Sequence, residues 1–179
     1  MEIWDLYDKN RVKLEKTMVR GDEVPEGCYH LVVESVIMND KNQILIQKRH
    51  PEKIGWPSYW EFSCGGSATT NDTSLDAIKR EIAEEIGIDI NPDNIKDIIK
   101  RSFGNSHYDF YFIRENIDIK DTTLQAIEVV DIKWVTYQEV MQMLNDGLFV
   151  DYNNYGRDHF NYLRGVINED SNWWGWLSC

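Results

Sequence analysis

Gly65 to Ile88 reads GGSATTNDTSLDAIKREIAEEIGI, and the rest of the chain is best read outward from it. Asn71, Asp72 and Thr73 carry the short polar side chains that cap helices, and Gly87 stands where a carboxyl-terminal cap belongs. Between them Leu75, Ile78, Ile82 and Ile86 recur at helical spacing, which predicts a helix over Thr73 to Ile86 with one apolar stripe. At about 100° per residue, Glu81, Glu84 and Glu85 fall within an arc of about 100° on a different face. Like charges at that spacing repel and cost a few tenths of a kcal/mol per pair. Lys79 and Arg80, the nearest cations on the chain, are too few to offset such a cluster and a bound anion as well. A hard divalent cation, Mg²⁺ or Mn²⁺, offsets it, because such ions prefer oxygen ligands. An acidic string alone is ordinarily a solvated face. Here a Gly-Gly turn, a helix start, Arg-Glu, Glu-Glu and a closing Gly-Ile stand in register around it.

Upstream, His30 to Met38 and Gln43 to Gln47 are β-branched apolar runs joined by Asn39-Asp40-Lys41-Asn42, a hairpin pattern. Lys53 to Thr73 holds Gly55, Pro57, Gly65 and Gly66 and is expected to be a long loop with aromatic anchors. Downstream of Asn91-Pro92, the runs Ile95 to Phe103, Tyr108 to Arg114 and Val129 to Val135 read as strands. An amphipathic helix from Tyr137 to Leu144, closed by Asn145-Asp146-Gly147, follows them. A last helix is expected from about Tyr155 to Ile167, ahead of a tail rich in Trp. This order predicts an α/β or α+β class. With 179 residues, no internal repeat and no linker of biased composition, residues 1–179 are expected to form one domain.

Nineteen Lys and Arg against 31 Asp and Glu leave a net charge of −12. A field of that sign repels phosphate backbones and anionic lipid, which argues against a nucleic-acid duplex or a membrane surface as partner. It leaves room for a small anionic substrate, since a bound cation or a few basic groups invert the sign inside one cleft. The start MEIWDLYDKN has acidic residues where a secretory signal would be basic, and no apolar run is long enough to span a bilayer. Three scattered cysteines make neither a disulfide framework nor a thiolate zinc site. A reducing, cytoplasmic setting is expected.

The central segment resembles the Nudix box: Gly, five residues, Glu, seven residues, Arg-Glu, an apolar residue, any residue, Glu-Glu, any residue, Gly, and an apolar residue. Gly66 opens it here, and Arg80, Glu81, Ile82, Glu84, Glu85, Gly87 and Ile88 fall in place over residues 66–88. One position departs, with Asp72 where the family has its early Glu, a conservative change at a loop-supporting site. The likeness runs from about Tyr29 to Met143. It implies a Nudix fold, a mixed sheet sandwiched between helices, and hydrolysis of a diphosphate linked to another group X. It further implies a divalent metal held by Glu81, Glu84, Glu85 and the carbonyl of Gly65, with Arg80 orienting the carboxylates. Glu81 or Glu84 is then a candidate base, and Glu128, six residues before Trp134, is the candidate distal acid, with Asp131 the weaker one.

The stretch from Glu2 to Trp60, including WDLYD, Arg49, Lys53 and WPSYW, is similar to the Nudix branch of type I isopentenyl-diphosphate isomerases. That likeness implies that Arg49 and Lys53 hold the diphosphate of the substrate. The isomerase chemistry itself is not expected. Its Cys aligns with Gly65 rather than Cys64, Ser67 stands where a metal-binding His belongs, and the box glutamates that isomerases degrade are intact. Cys64 is expected to be a small buried residue. A Nudix domain used as a ligand sensor is the third reading, disfavoured because the box carboxylates are kept. Trp56, Tyr59 and Trp60 are read as stacking on a base or ring or as anchors of the long loop, and His107, Tyr108 and Phe110 as lining the leaving-group pocket or as strand packing. The tail of about 153–179, with Trp173, Trp174 and Trp176, is too apolar to stand free in water. It is expected to pack on the body or on a second subunit, the latter making a homodimer.

Overall fold

The structure, a computed structural model, describes residues 2–150 together with Gly165. It opens with an antiparallel hairpin, β1 (Ile3–Tyr7) and β2 (Lys13–Val19), that the sequence reading does not anticipate. Most of β2 faces solvent, so the strand carries almost no apolar alternation to announce it. Next come β3 (His30–Met38) and β4 (Ile44–Arg49), joined by the expected turn, in which Asn42 takes a left-handed conformation. The expected loop from Lys53 to Thr73 needs correction. It contains two short strands, β5 (Trp60–Phe62) and β6 (Cys64–Ser67). Strands of three and four residues are too short for a period to show. They form because β3 and β4 offer edges, with Ser35 opposite Cys64 and Gln47 opposite Glu61.

The helix of the central segment, α1 (Ser74–Ile86), lies as expected. Thr73 caps it in a reciprocal box with Asp76, and Gly87 closes it in the left-handed conformation at φ 74°. Strands β7 (Ile95–Phe103), β8 (Ser106–Arg114) and β9 (Val129–Val135) and helix α2 (Tyr137–Asn145) complete the described strands and α-helices. The expected last helix and the Trp-rich tail lie outside the described residues, apart from Gly165 in helical geometry.

Seven strands form one mixed sheet. β3 and β8 run parallel, from His30 opposite Ser106 to Met38 opposite Arg114, and β7 pairs antiparallel on the far side of β8. β6 pairs with β3, while β4 carries β5 and β9. Strand alternation sends side chains to two cores. Leu31, Val33, Ile37, Leu45, Tyr111 and Ile113 meet Ala77, Ile78, Ile82 and Ile86 of α1. Val36, Ile44, Ile46, Phe110 and Phe112 meet Val140, Met141 and Leu144 of α2. The sheet is therefore covered by a helix on each face, the α+β sandwich expected. No helix among the described residues is long and apolar enough to cross a membrane.

The amino-terminal hairpin braces the loop ahead of α1. The Thr70 amide donates to the Ile3 carbonyl at 2.8 Å and the Asn71 amide to the buried Asp5 carboxylate at 2.9 Å. Trp4 stacks on His30 at 4.3 Å, and Tyr7 and Tyr29 exchange backbone hydrogen bonds.

Candidate active site

The apolar stripe of α1 is held against the sheet, and this fixes where its carboxylates stand. Glu85, one turn from Ile82 and two from Ile78, is pulled inward and only 4% exposed. Its Oε2 accepts from the side-chain amide of Gln47 at 3.0 Å and from the Gly65 amide at 3.4 Å. Burial, then the neighbouring Glu61, pushes its pKa up to about 8. Glu81 is half-buried, with its pKa raised by burial first and drawn back by Arg80. Glu84 faces solvent, its side chain 51% exposed.

Arg80 is the hub of the group. Its Nη1 donates to Oε1 of Glu81 at 2.8 Å and to Glu84 at 3.4 Å; its Nη2 donates to the Ser67 carbonyl at 3.1 Å and to Asp72 at 3.0 Å. Asp72 also accepts from the amide and hydroxyl of Thr69. Burial alone would raise the Asp72 carboxyl, but the hydrogen bonds of Thr69 and Arg80 outweigh it and hold the group below its usual range. The shorter Asp thus ties the turn to the arginine. Replacing it, Asp72→Ala, leaves those donors without an acceptor. A loss of about 1–3 kcal/mol in urea unfolding is expected, and an unchanged midpoint would refute the assignment.

Two glycines allow close approach, Gly66 between β6 and α1 and Gly65 between β6 and β3. A β-carbon at Gly66 would lie 2.6 Å from Oε2 of Glu81, and closer still to the rest of that carboxyl group. One at Gly65 would lie 2.7 Å from the backbone oxygen of Val33. The box carboxylate is therefore seated on bare backbone.

The cleft beside this seat measures about 190 Å³ and is bordered by Glu34, Arg49, Trp56, Glu61, Gly65 and Gly66. Arg49 is not free in it. Its Nη1 donates to both oxygens of Glu61 at 2.8 Å, and its Nε to the Gly55 carbonyl at 2.9 Å. Lys53 pairs with Glu128, so one expected phosphate ligand and the expected distal acid lie together. Asp131, by contrast, is exposed on β9 opposite Lys48. His107 lies under Tyr29, its ring 4.5 Å away, and Tyr108 and Phe110 pack within the second core, so these three are strand packing. Cys64 is buried in the first core, its thiol pushed well above its usual range by burial and then by Glu85.

The sequence reading missed Glu34, Gln47 and Glu61. Burial, then Glu61, pushes the Glu34 carboxyl up to about 8. The only signal for Gln47 was a polar residue continuing an apolar strand. Nothing marked Glu34 and Glu61, because their importance lies in strand pairing that brings them together.

Raised carboxyl pKa values fix the sign of a pH effect. With an unperturbed value near 4.5 and a folded value of about 8, the native chain binds more protons in between. Stability is complete below pH 4.5 in this respect and is lost as pH rises through 8. The lowered carboxyls, Asp72 among them, lose their contribution only as pH falls below about 4. Thermal melts in chelator should therefore fall by several degrees from pH 5 to pH 8, and Glu34→Gln should flatten the slope. Parallel slopes for the two proteins would show that Glu34 is not the titrating group.

The residues fit a hard divalent cation. The donors are carboxylate and carbonyl oxygens, one helix carboxylate (Glu85) is buried against the sheet, and another (Glu81) lies on a glycine that leaves it space. Among the described residues no three His, Cys, Asp or Glu side chains close around a point as a finished cage. The seat is open, as suits a hard cation that keeps part of its shell from water and phosphate.

The family model for the NUDIX domain matches residues 29–153. An uncharacterised Nudix hydrolase of Listeria innocua is 40% identical over 152 residues, spanning 85% of this chain and 90% of that protein. The chain belongs to the Nudix family. Among solved structures, DR0079 from Deinococcus radiodurans superposes with a TM-score of 0.69 at 20% identity, over 91% of this chain and 98% of that one. That likeness speaks for the Nudix fold alone. The isomerase likeness is narrower: an isopentenyl-diphosphate Delta-isomerase of Cutibacterium acnes is 26% identical over 70 residues, 39% of this chain and 35% of that protein. As a Nudix hydrolase family member the chain is an enzyme, of a family consistent with pyrophosphate hydrolysis.

Proposed function

We propose that this Nudix enzyme hydrolyses the diphosphate bond of a small molecule in which a nucleoside diphosphate is linked to a further group X, using Mg²⁺ or Mn²⁺. The observation that carries the reading is the seating of Glu81 over Gly66, beside Glu84 and the buried Glu85, at the edge of a cleft that Arg49 borders. Glu81, Glu84, Glu85 and the Gly65 carbonyl would hold the metal. When bound, it would supply charge neutralisation at the phosphates and a more acidic water.

The chain's own groups do the rest. Arg80 orients Glu81 and Glu84 through paired hydrogen bonds, and its link to Asp72 and Ser67 keeps that orientation rigid. Arg49 and Lys53 would take the diphosphate, each exchanging a carboxylate for a phosphate oxygen. Loss of Lys53 leaves the Glu128 carboxylate to accept the proton of the attacking water. The cleft is small against the roughly 300–1,000 Å³ of pockets that enclose a whole ligand. Group X would therefore extend over the rim, past the half-exposed Trp56.

The active unit is taken as residues 1–179 in the cytoplasm, and homodimerisation through the tail would rest on residues outside those described. The test is a phosphate- and pyrophosphate-release screen of nucleotides, nucleotide sugars and prenyl diphosphates, with and without Mg²⁺. Prenyl reactions are also examined for double-bond migration. Metal-dependent release from one class supports the reading and names X. Migration without release would replace it with isomerisation, and no turnover at all would favour a sensor.

A further inference from the structure

We propose that Gln47 is a positioning residue for Glu85, holding that carboxylate in place for a divalent cation and tying it to the Arg49–Glu61 pair. The inference rests on the metal-dependent reading above.

Leu45, Gln47 and Arg49 alternate along β4, so they share the sheet face that looks toward α1. Leu45 joins the apolar core there, and Gln47, at 2% exposure, is buried as deeply. An apolar side chain would fill that place without polar atoms to satisfy. The glutamine is not even fully satisfied: its Oε1 is buried with no hydrogen-bond partner among the described residues. A buried carbonyl left so is destabilising, and such a group calls for an explanation.

The explanation lies at the other end of the amide. Nε2 donates to Oε2 of Glu85 at 3.0 Å and to Oε1 of Glu61 at 3.1 Å. Its two hydrogens thus serve two carboxylates brought in by different elements, α1 and β5. A neutral amide supplies two donors without adding a charge, which a carboxylate, an apolar side chain, Lys or Arg in its place would not. Glu61 is in turn gripped by Arg49 through both oxygens. A continuous chain therefore runs from Arg49 through Glu61 and Gln47 to Glu85. Without the amide, Glu61 and Glu85 would face each other with no donor between them, and Glu85 would lose the hydrogen bond that fixes its direction.

Groups that orient metal ligands typically account for 10–100-fold in affinity. The test is Mn²⁺ binding to the full chain without substrate, followed by the electron paramagnetic resonance of free Mn²⁺, with thermal melts in chelator alongside. Gln47→Met keeps the volume and removes both donors together with the orphaned carbonyl. It should bind Mn²⁺ about 10–100-fold more weakly than the parent while melting within a few degrees of it. Gln47→Asn keeps a neutral amide one methylene too short to span both carboxylates. It should show the same loss, and it stands in if the methionine variant does not fold. Equal Mn²⁺ affinity in parent and variants, or a lowered melting temperature with unchanged affinity, would reduce Gln47 to a structural role. A parent chain that binds no Mn²⁺ would instead overturn the metal-dependent reading, and this inference with it.

Discussion

Glu84→Gln is expected to lower kcat by about 10²–10³-fold and to leave the melting temperature where it was. The two halves of that expectation have separate grounds. The side chain is 51% exposed, and its ion pair to Arg80 at 3.4 Å is of the kind that contributes little in water. Removing its charge therefore changes stability by no more than about 0.5 kcal/mol. Its value to the enzyme would come when a cation and a diphosphate both stand at the seat and every negative charge on α1 is recruited. A steady-state assay on the substrate named by the release screen, with a thermal melt of the same preparation, separates the two. Parent-like turnover would remove Glu84 from the metal site. A collapsed melt would mean that the residue supports the fold instead.

Gly66→Ala and Gly65→Ala, one residue apart, should fail in different ways. At position 66 the new methyl meets the carboxyl end of Glu81, a flexible side chain that can swing aside. The fold should survive and the carboxylate should not stay where it was. A displacement of about 1 Å at a group that positions the reaction can remove 10²-fold in rate. At position 65 the methyl meets the Val33 carbonyl, backbone of β3 in the middle of the sheet. That atom cannot move without breaking the pairing of β3 and β6, so a loss of about 1–3 kcal/mol in stability is expected, comparable to overpacking a core. Circular-dichroism melts and turnover, measured on both variants, give the contrast. If Gly66→Ala kept full activity, the seating of Glu81 on bare backbone would have no part in the reaction.

How far the sequence reaches is clearest along α1. Its capping residues, apolar stripe and closing glycine are all local, within one or two turns of each other, so thirteen residues carry their own instructions. The same holds for β3, β9 and α2, whose periods are long enough to read. The family resemblance added the sandwich and the list of box carboxylates, and the fold agrees with the sandwich. Strands β5 and β6 were beyond reach, because a strand of three or four residues exists only through the edge it joins. The β1–β2 hairpin escaped for a related reason, since a mostly solvated strand has no apolar face to declare it.

The candidate site divides along the same line. That Glu81, Glu84 and Glu85 share a helix face follows from 3.6 residues per turn and needs no tertiary structure. That they differ, one exposed, one seated on Gly66 and one buried with its pKa pushed up to about 8, was decided by how α1 rolls onto the sheet. The family resemblance pointed to Arg49 and Lys53 as phosphate ligands, but not to their pairing with Glu61 and Glu128. Local spacing sets which groups one element presents. Which groups confront each other, and in what dielectric, depends on contacts between residues far apart in sequence, and only the packed sheet supplies those.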